Sequence, residues 1–229
     1  MTSTHKFDYE VDGKKFKSPV FIINNAVPPE TVDELLKKYP KNVFQVGKHS
    51  SAAKGVDQLN IVRKSKVLFI DEPQIDHMLW GHMARANWYF TTRYKINMAE
   101  TTQLTRYEGD EKGHYNWHVD GGPNHCHARI PVFEEPKHSG EIGEPLLGGT
   151  VRKISCSVLL NDDFEGGDFE VRYFNHDGVE NPCVDTIDKF KPKKGQAIYF
   201  LSDLCHRVAP VTKGTRYSLV KWFCGPPLV

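Results

Sequence analysis

The feature that most constrains this chain is a change of hydrophobic period near residue 100. From Thr101 onward apolar and polar residues alternate, and turn signals recur between the runs: Glu-Gly-Asp at 108–110, Glu-Gly-Gly-Asp at 165–168, His-Asp-Gly at 176–178 and Lys-Lys-Gly at 193–195. Alternation puts every second residue on one face of an extended chain, which suits a half-buried strand and not a helix. Strands are therefore predicted over Thr101 to Glu108, His114 to Asp120, Lys153 to Asn161, Asp168 to Phe174, Gln196 to Leu201 and Thr215 to Phe223. Many strands with regular punctuation suggest a sandwich, barrel or jelly roll. One stretch, Gly121 to Arg152, breaks the rhythm. It is far longer than an ordinary loop of about 4 to 6 residues, and loops of that size usually serve a function.

The first hundred residues add helical periods. Val32, Leu35, Leu36 and Tyr39 recur at helical spacing behind the prolines at 28 and 29, which predicts a short amphipathic helix over Pro28 to Tyr39. A longer helix is predicted from near Pro73 into the Tyr89 region, with Ile75, Met78, Leu79, Met83, Ala86 and Phe90 on its apolar side. His77 and His82 ride on it five residues apart, so they do not meet as an i, i+4 pair would. They are expected at its surface or core edge. The fold class expected from these patterns is mainly β with flanking helices, in a single domain over 1–229.

Charge and composition remove several function classes. Lys plus Arg number 30 and Asp plus Glu 29, a balance that argues against a nucleic-acid binder, and the lysines at 14, 15, 17, 37, 38, 41, 193 and 194 are expected on solvated faces. No apolar run approaches the ~18 residues of a membrane span. Met1 to Val11 lacks the apolar stretch of a signal peptide, so the expectation is a cytoplasmic protein without a membrane or obligate protein partner. The five cysteines stand singly and their odd count predicts reduced thiols, with Cys156, Cys205 and Cys224 as small buried hydrophobes.

The sharpest local motif is Tyr115-Asn116-Trp117-His118-Val119-Asp120. On a strand His118 and Asp120 share a face and offer an imidazole and a carboxylate to a borderline metal. Alone the pair is weak, because with 11 histidines and 15 aspartates about one H-x-D is expected by chance. His206, 88 positions later, supplies a third candidate ligand. Two histidines and a carboxylate make the facial triad of non-haem Fe(II) oxygenases. Closing a loop of that length costs about 4 kcal/mol in an ideal chain, so such a site needs a preformed scaffold. Arg216 alternates with Ser218, Val220 and Trp222, and a buried guanidinium on an otherwise apolar face demands an anion. A dicarboxylate such as 2-oxoglutarate meets that demand, one end on the metal and the other on Arg216 in a forked pair with Ser218 nearby. Gly166 and Gly167 lack the Lys and Ser/Thr of a phosphate loop and read as a turn. His125, Cys126 and His127 invite a zinc reading, but no second cluster of matching spacing accompanies them.

Over about its last 130 residues the chain resembles the prolyl 4-hydroxylase branch of the Fe(II)- and 2-oxoglutarate-dependent dioxygenases, and most closely the PKHD type. The resemblance runs in order through Gln103 to Gly109, Tyr115-x-x-His118-x-Asp120, Arg152 to Ser155, Leu159 to Asp168, Pro192 to Ala197, His206 to Val208 and Pro210 to Ser218. It implies a double-stranded β-helix, or jelly roll, over 101–229, with a long loop at 121–152 and N-terminal α-helices within 1–100 as its support. It also implies His118, Asp120 and His206 as Fe(II) ligands, Arg216 as the anchor of 2-oxoglutarate, and Tyr107 as a further co-substrate contact. The tyrosine that other relatives carry in the strand matching Ser155 to Leu160 is absent. The implied reaction consumes dioxygen and 2-oxoglutarate, with ascorbate as reductant, and hydroxylates prolyl residues of a peptide or protein. The alternatives are a hydroxylase of a free amino acid or other small molecule, and a binding module that keeps the jelly roll without turnover.

Overall fold

A computed structural model describes residues 9–11, 14–16, 19–47, 62–90, 93–121, 149–175 and 184–227. Strands β1 (Tyr9–Val11) and β2 (Lys14–Phe16) form a small hairpin. Then come β3 (Val20–Ile23), α1 (Pro29–Lys38), β4 (Gln45–Val46), β5 (Arg63–Lys64), β6 (Lys66–Ile70), α2 (Pro73–Tyr89) and β7 (Met98–Ala99). The remaining strands are β8 (Thr102–Glu108), β9 (His114–His118), β10 (Val151–Leu159), β11 (Phe164–Gly166), β12 (Phe169–Asn175), β13 (Val184–Phe190), β14 (Ala197–Leu201), β15 (Cys205–Val208) and β16 (Val211–Gly225). The larger sheet runs β3-β14-β10-β16-β8-β6-β4, with β7 and β11 also on β16, and the smaller runs β13-β12-β15-β9-β5. Every pairing is antiparallel. Two such sheets with helices behind one of them make the expected jelly roll.

Strands β3, β8, β14 and β16 of the larger sheet split their side chains between two cores. Leu104, Ile154, Cys156, Val158, Ala197, Tyr199, Leu219 and Phe223 face the helices and pack with Val32 and Leu35 of α1 and Ile75, Leu79, Met83 and Ala86 of α2. The opposite faces carry Tyr107, Ile198 and Phe200, which meet Phe169, Val171, Phe190 and Val208 of the smaller sheet. Prolines open both helices, where a missing N–H costs nothing. Polar groups also lock α2 to the sheet: Tyr199 Oη donates to the Leu79 carbonyl at 3.0 Å, and buried Lys221 pairs with Asp76 at 2.7 Å. No helix among the described residues is long and apolar enough to cross a membrane.

Several predicted boundaries move. β9 ends at His118, so Asp120 lies just beyond the strand and not within it. β10 begins at Val151, which takes Val151 and Arg152 out of the predicted loop. β16 is longer than predicted because it spans the sheet and carries the β11 pairing at its start. Cys205 is partly exposed and does not fill the core, while Cys156 and Cys224 are buried and burial pushes the Cys156 thiol up to about 12. His77 is exposed and His82 half-buried, each bonded to a backbone carbonyl. Lys194 is partly buried and joined to Asp33, while Lys37, Lys38, Lys41 and Lys193 are exposed. His125, Cys126, His127 and Cys183 lie outside the described residues.

Leu79 is fully buried between helix and sheet, whereas Met78 beside it is only partly so. Leu79→Ala is expected to lower unfolding free energy by about 2–5 kcal/mol and Met78→Ala by much less. Urea denaturation of the two variants checks this, and equal losses would contradict the packing described.

Candidate metal centre

Strand register creates the centre. β15 pairs with β9 so that His206 stands directly opposite His118, and cross-strand neighbours on one face are natural contacts. The two imidazole centroids are 4.2 Å apart. Past the end of β9 the chain bends, and the Gly121 N–H donates to the Ser202 carbonyl at 2.6 Å, which returns Asp120 to the pair. One ligand atom from each of His118, Asp120 and His206 lies within 4.8 Å of the other two. Asp120 carboxylate oxygens stand 3.6 Å from Nε2 of each histidine.

The histidine tautomers follow from elementary donor rules. His118 Nδ1 lies 2.7 Å from the Asn116 carbonyl and His206 Nδ1 lies 2.9 Å from the Leu204 carbonyl. A carbonyl only accepts, so each Nδ1 carries a proton and each ring turns its Nε2 toward Asp120. Burial, reinforced by the neighbouring His206, pushes the His118 imidazole down to about 3, so it is neutral at physiological pH. Burial alone would raise the Asp120 carboxyl. The His206 and His118 rings when charged, together with Arg152 and a hydrogen bond from Ser155, outweigh it and hold the Asp120 carboxyl well below the usual carboxylate range. Ser155 also meets the Ser202 hydroxyl at 2.9 Å. Phe169 and Phe200 wall the His206 ring at 5.6 and 4.5 Å.

Arg216 lies deeper in the barrel, 1% exposed, with Tyr107 directly opposite on β8 and its ring centroid 5.5 Å from the guanidinium carbon. Nη1 donates to Ser218 Oγ at 3.0 Å, while the buried Nε has no partner. Burial lowers the affinity of this guanidinium for its proton, and Tyr107 and Asp168 partly oppose that. Arg216 also lines a cavity of about 340 Å³ with Leu159, Phe164 and Phe190. Gly167, at φ +64°, closes on it so tightly that a Cβ there would lie 2.9 Å from Arg216 Cδ.

Two bulges bring in residues that alternation on the sequence misses. Between His206/Val208 on β15, β9 advances from His118 to Tyr115, one residue more than its partner. Positions three apart thereby share a face, and Tyr115 stacks on His118 with centroids 3.5 Å apart. A second bulge, between Arg152 and Ile154, turns Arg152 onto Trp222, whose ring centroid is 4.0 Å from the guanidinium carbon. Arg152 Nε and Nη2 are both paired with Glu100. Trp222 Nε1 is buried without an acceptor. The motifs Tyr115-x-x-His118-x-Asp120 and Arg152 to Ser155 contain both residues, while alternation alone turns neither inward.

The sequence profile of the 2OG-Fe(II) oxygenase superfamily matches residues 102–224. A PKHD-type hydroxylase of Hyphomonas neptunium is 33% identical over 127 residues, covering 53% of this chain and 42% of the relative. Human prolyl 3-hydroxylase 2 is 37% identical over 81 residues, 34% of this chain and 10% of that protein. The chain spans about half the length of the curated PKHD-type relatives it matches. In fold it is similar to a prolyl hydroxylase of Trichoplax adhaerens solved with a hypoxia-inducible-factor peptide, at TM-score 0.62 and 19% identity, covering 90% of this chain and 83% of that one.

A histidine whose folded form resists protonation makes the native state bind fewer protons than the unfolded one. Stability of the metal-free protein is then complete above the unfolded value of about 6.5 and falls as pH drops toward 3, with His118 contributing up to about 1.4 kcal/mol per pH unit. His118→Gln is expected to flatten the dependence of unfolding free energy on pH between 6.5 and 4. An unchanged slope would mean that His118 is solvated.

Proposed function

The chain belongs to the 2OG-Fe(II) oxygenase superfamily, and on that premise we propose that it hydroxylates prolyl residues of a peptide or protein, converting 2-oxoglutarate and dioxygen to succinate and carbon dioxide. The carrying observation is the donor set itself: two imidazoles held at Nδ1 by backbone carbonyls with Nε2 turned inward, and one carboxylate, converging within 4.8 Å. That donor set would fit Fe(II), with His118, Asp120 and His206 as the residues that would hold it. Bound iron supplies the oxidising power that breaks an unactivated C–H bond.

The remaining residues bind, orient and exclude water. His118, Asp120 and His206 hold the metal, their tautomers and charge fixed by Asn116, Leu204 and Ser155. Arg216 takes the far carboxylate of 2-oxoglutarate, which gives the orphaned Nε an acceptor, and Tyr107 adds a contact from the opposite strand. Phe169 and Phe200 keep the His206 side dry. A peptide as substrate is supported by relatives named prolyl hydroxylases, one solved with a peptide, and by Trp222. Its buried N–H lacks an acceptor beside an arginine already neutralised by Glu100, and an amide carbonyl suits that combination better than another charge.

Asp120→Ala is expected to abolish Fe(II)-dependent succinate formation while circular dichroism stays near wild type. Arg216→Ala is expected to raise the 2-oxoglutarate requirement about 10- to 150-fold, the loss of a charge-assisted bond of roughly 1.5–3 kcal/mol. Succinate release from 2-oxoglutarate, with Fe(II) and ascorbate, measures both. Output unchanged by the first substitution, or a requirement unchanged by the second, would remove these residues from the site. A +16 mass shift on proline-containing peptides tests the substrate, and turnover confined to free amino acids would overturn it.

A further inference from the structure

Arg63 is a buried cation that this chemistry leaves without a task. It lies on β5, the edge strand of the smaller sheet, outside the segment that matches the superfamily profile. Register sets Arg63 opposite Tyr115, and its guanidinium carbon sits 4.7 Å from the Tyr115 ring centroid. Tyr115 in turn stacks on His118, so cation, phenol and imidazole form one column ending at the metal centre. Arg63 is only 9% exposed. Its Nε donates to Ser65 Oγ at 2.7 Å, and among the described residues no carboxylate pairs with it. The backbone at Gly47 closes the outer side: its N–H donates to the Ser65 carbonyl at 2.8 Å, and a Cβ there would lie 2.8 Å from Ser65 Oγ and 3.1 Å from Arg63 Nε.

The direction in which Arg63 acts is inward. The Tyr115 ring, stacked on His118, lies between its guanidinium and the metal centre. A guanidinium buried without an anion is costly, and a bound anion relieves that cost. The other charges of the site are already balanced. Metal and Arg216 offset Asp120 and the two carboxylates of 2-oxoglutarate, and Arg152 offsets Glu100. Among the described residues Arg63 remains a positive charge with no carboxylate paired to it, one ring away from the metal centre.

We propose that Arg63 binds a carboxylate of the substrate, so that the peptide hydroxylated here carries an acidic side chain or its own C-terminal carboxylate close to the reacting residue. This rests on the reading of the centre as a 2-oxoglutarate hydroxylase acting on peptides. Arg63 then selects the substrate from the N-terminal region, while the profile-matched strands carry the metal.

The test uses the full chain loaded with Mn(II) and 2-oxoglutarate, which binds without turnover. Proline-containing peptides differing at one position as Glu, Gln or Lys, each with a free or amidated C-terminus, are titrated by calorimetry. The expected result is at least about tenfold tighter binding for a carboxylate-bearing peptide than for its neutral match, the strength of a charge-assisted pair. The Glu series and the C-terminal series separate the two sources of the carboxylate. R63Q should erase the preference and R63E should turn it toward the Lys peptide. With Fe(II), R63Q should raise the peptide KM more than it lowers kcat. Equal binding of all wild-type peptides overturns the proposal without needing any variant. Weaker 2-oxoglutarate binding by R63Q, with peptide binding unchanged, also overturns it by assigning Arg63 to the co-substrate. Succinate formation without peptide reports separately on the metal centre, so loss of peptide selectivity and failure of the hydroxylase reading give different results.

Discussion

The site depends on one cross-strand register, His206 opposite His118 between β15 and β9. A one-residue slip in an antiparallel pair turns every side chain to the other face, so this pairing decides whether the two imidazoles meet at all. Sheet closure fixes it. β12 holds β15 from the other side, and Phe169 of β12 and Phe200 of β14 fill the space behind His206. Helices α1 and α2 contribute by burying the outer face of the larger sheet, which frees its inner face to carry polar residues. The entropy of bringing residues 88 apart together is borne by the fold and not by the metal.

Charge inside the barrel is far less even than the near-zero net charge of the chain suggests. Arg216, Arg152 and Arg63 all lie within it, at different depths and with different partners. Arg216 has a hydroxyl and an orphaned Nε, Arg152 has a full carboxylate, and Arg63 has a hydroxyl and a ring. A buried cation with its own carboxylate is closed to charged ligands, and one without is open to them. The contrast assigns different tasks to three residues of the same type: the deep one suits a dicarboxylate tail, the paired one suits a neutral acceptor, and the edge one suits an anion.

Sequence periodicity located β8, β9, β10, β12, β14 and β16 and missed β3, β6, β13 and β15, of which β3 puts Val20, Phe21 and Ile23 into the core. β8, β10, β12, β14 and β16 alternate because one face meets helices or the opposing sheet while the other is polar or inward. β4, β5 and β7 are only two residues each, too short for any period to register. His118, Asp120, His206 and Arg216 were legible because ordered motifs mark them, and the structure places the first three together. Tyr115 and Arg152 stand in the same ordered motifs, but their inward place was hidden, because each is turned inward by a bulge, and a bulge is a departure from the very alternation being read. Arg63 was hidden for a different reason. Its place is set by pairing with β9, a contact across more than fifty residues of chain that no local pattern encodes.

The division between legible and hidden residues follows a division of labour. Metal ligands must meet one ion in one geometry, so their types and spacings are constrained and recur as a motif. A group that reads the substrate need only reach the same cavity from any strand that borders it. β5 lies at the edge of the smaller sheet, where a change of side chain disturbs one neighbouring strand instead of two. Edge position also leaves the backbone on one side unpaired, and here the Gly47 segment covers it by bonding to Ser65. The N-terminal region thus does two physically distinct things: α1 and α2 stiffen the barrel from behind, and β5 sets a charge against the Tyr115 ring. Selectivity placed on such an edge can change while the strands that hold the metal stay fixed.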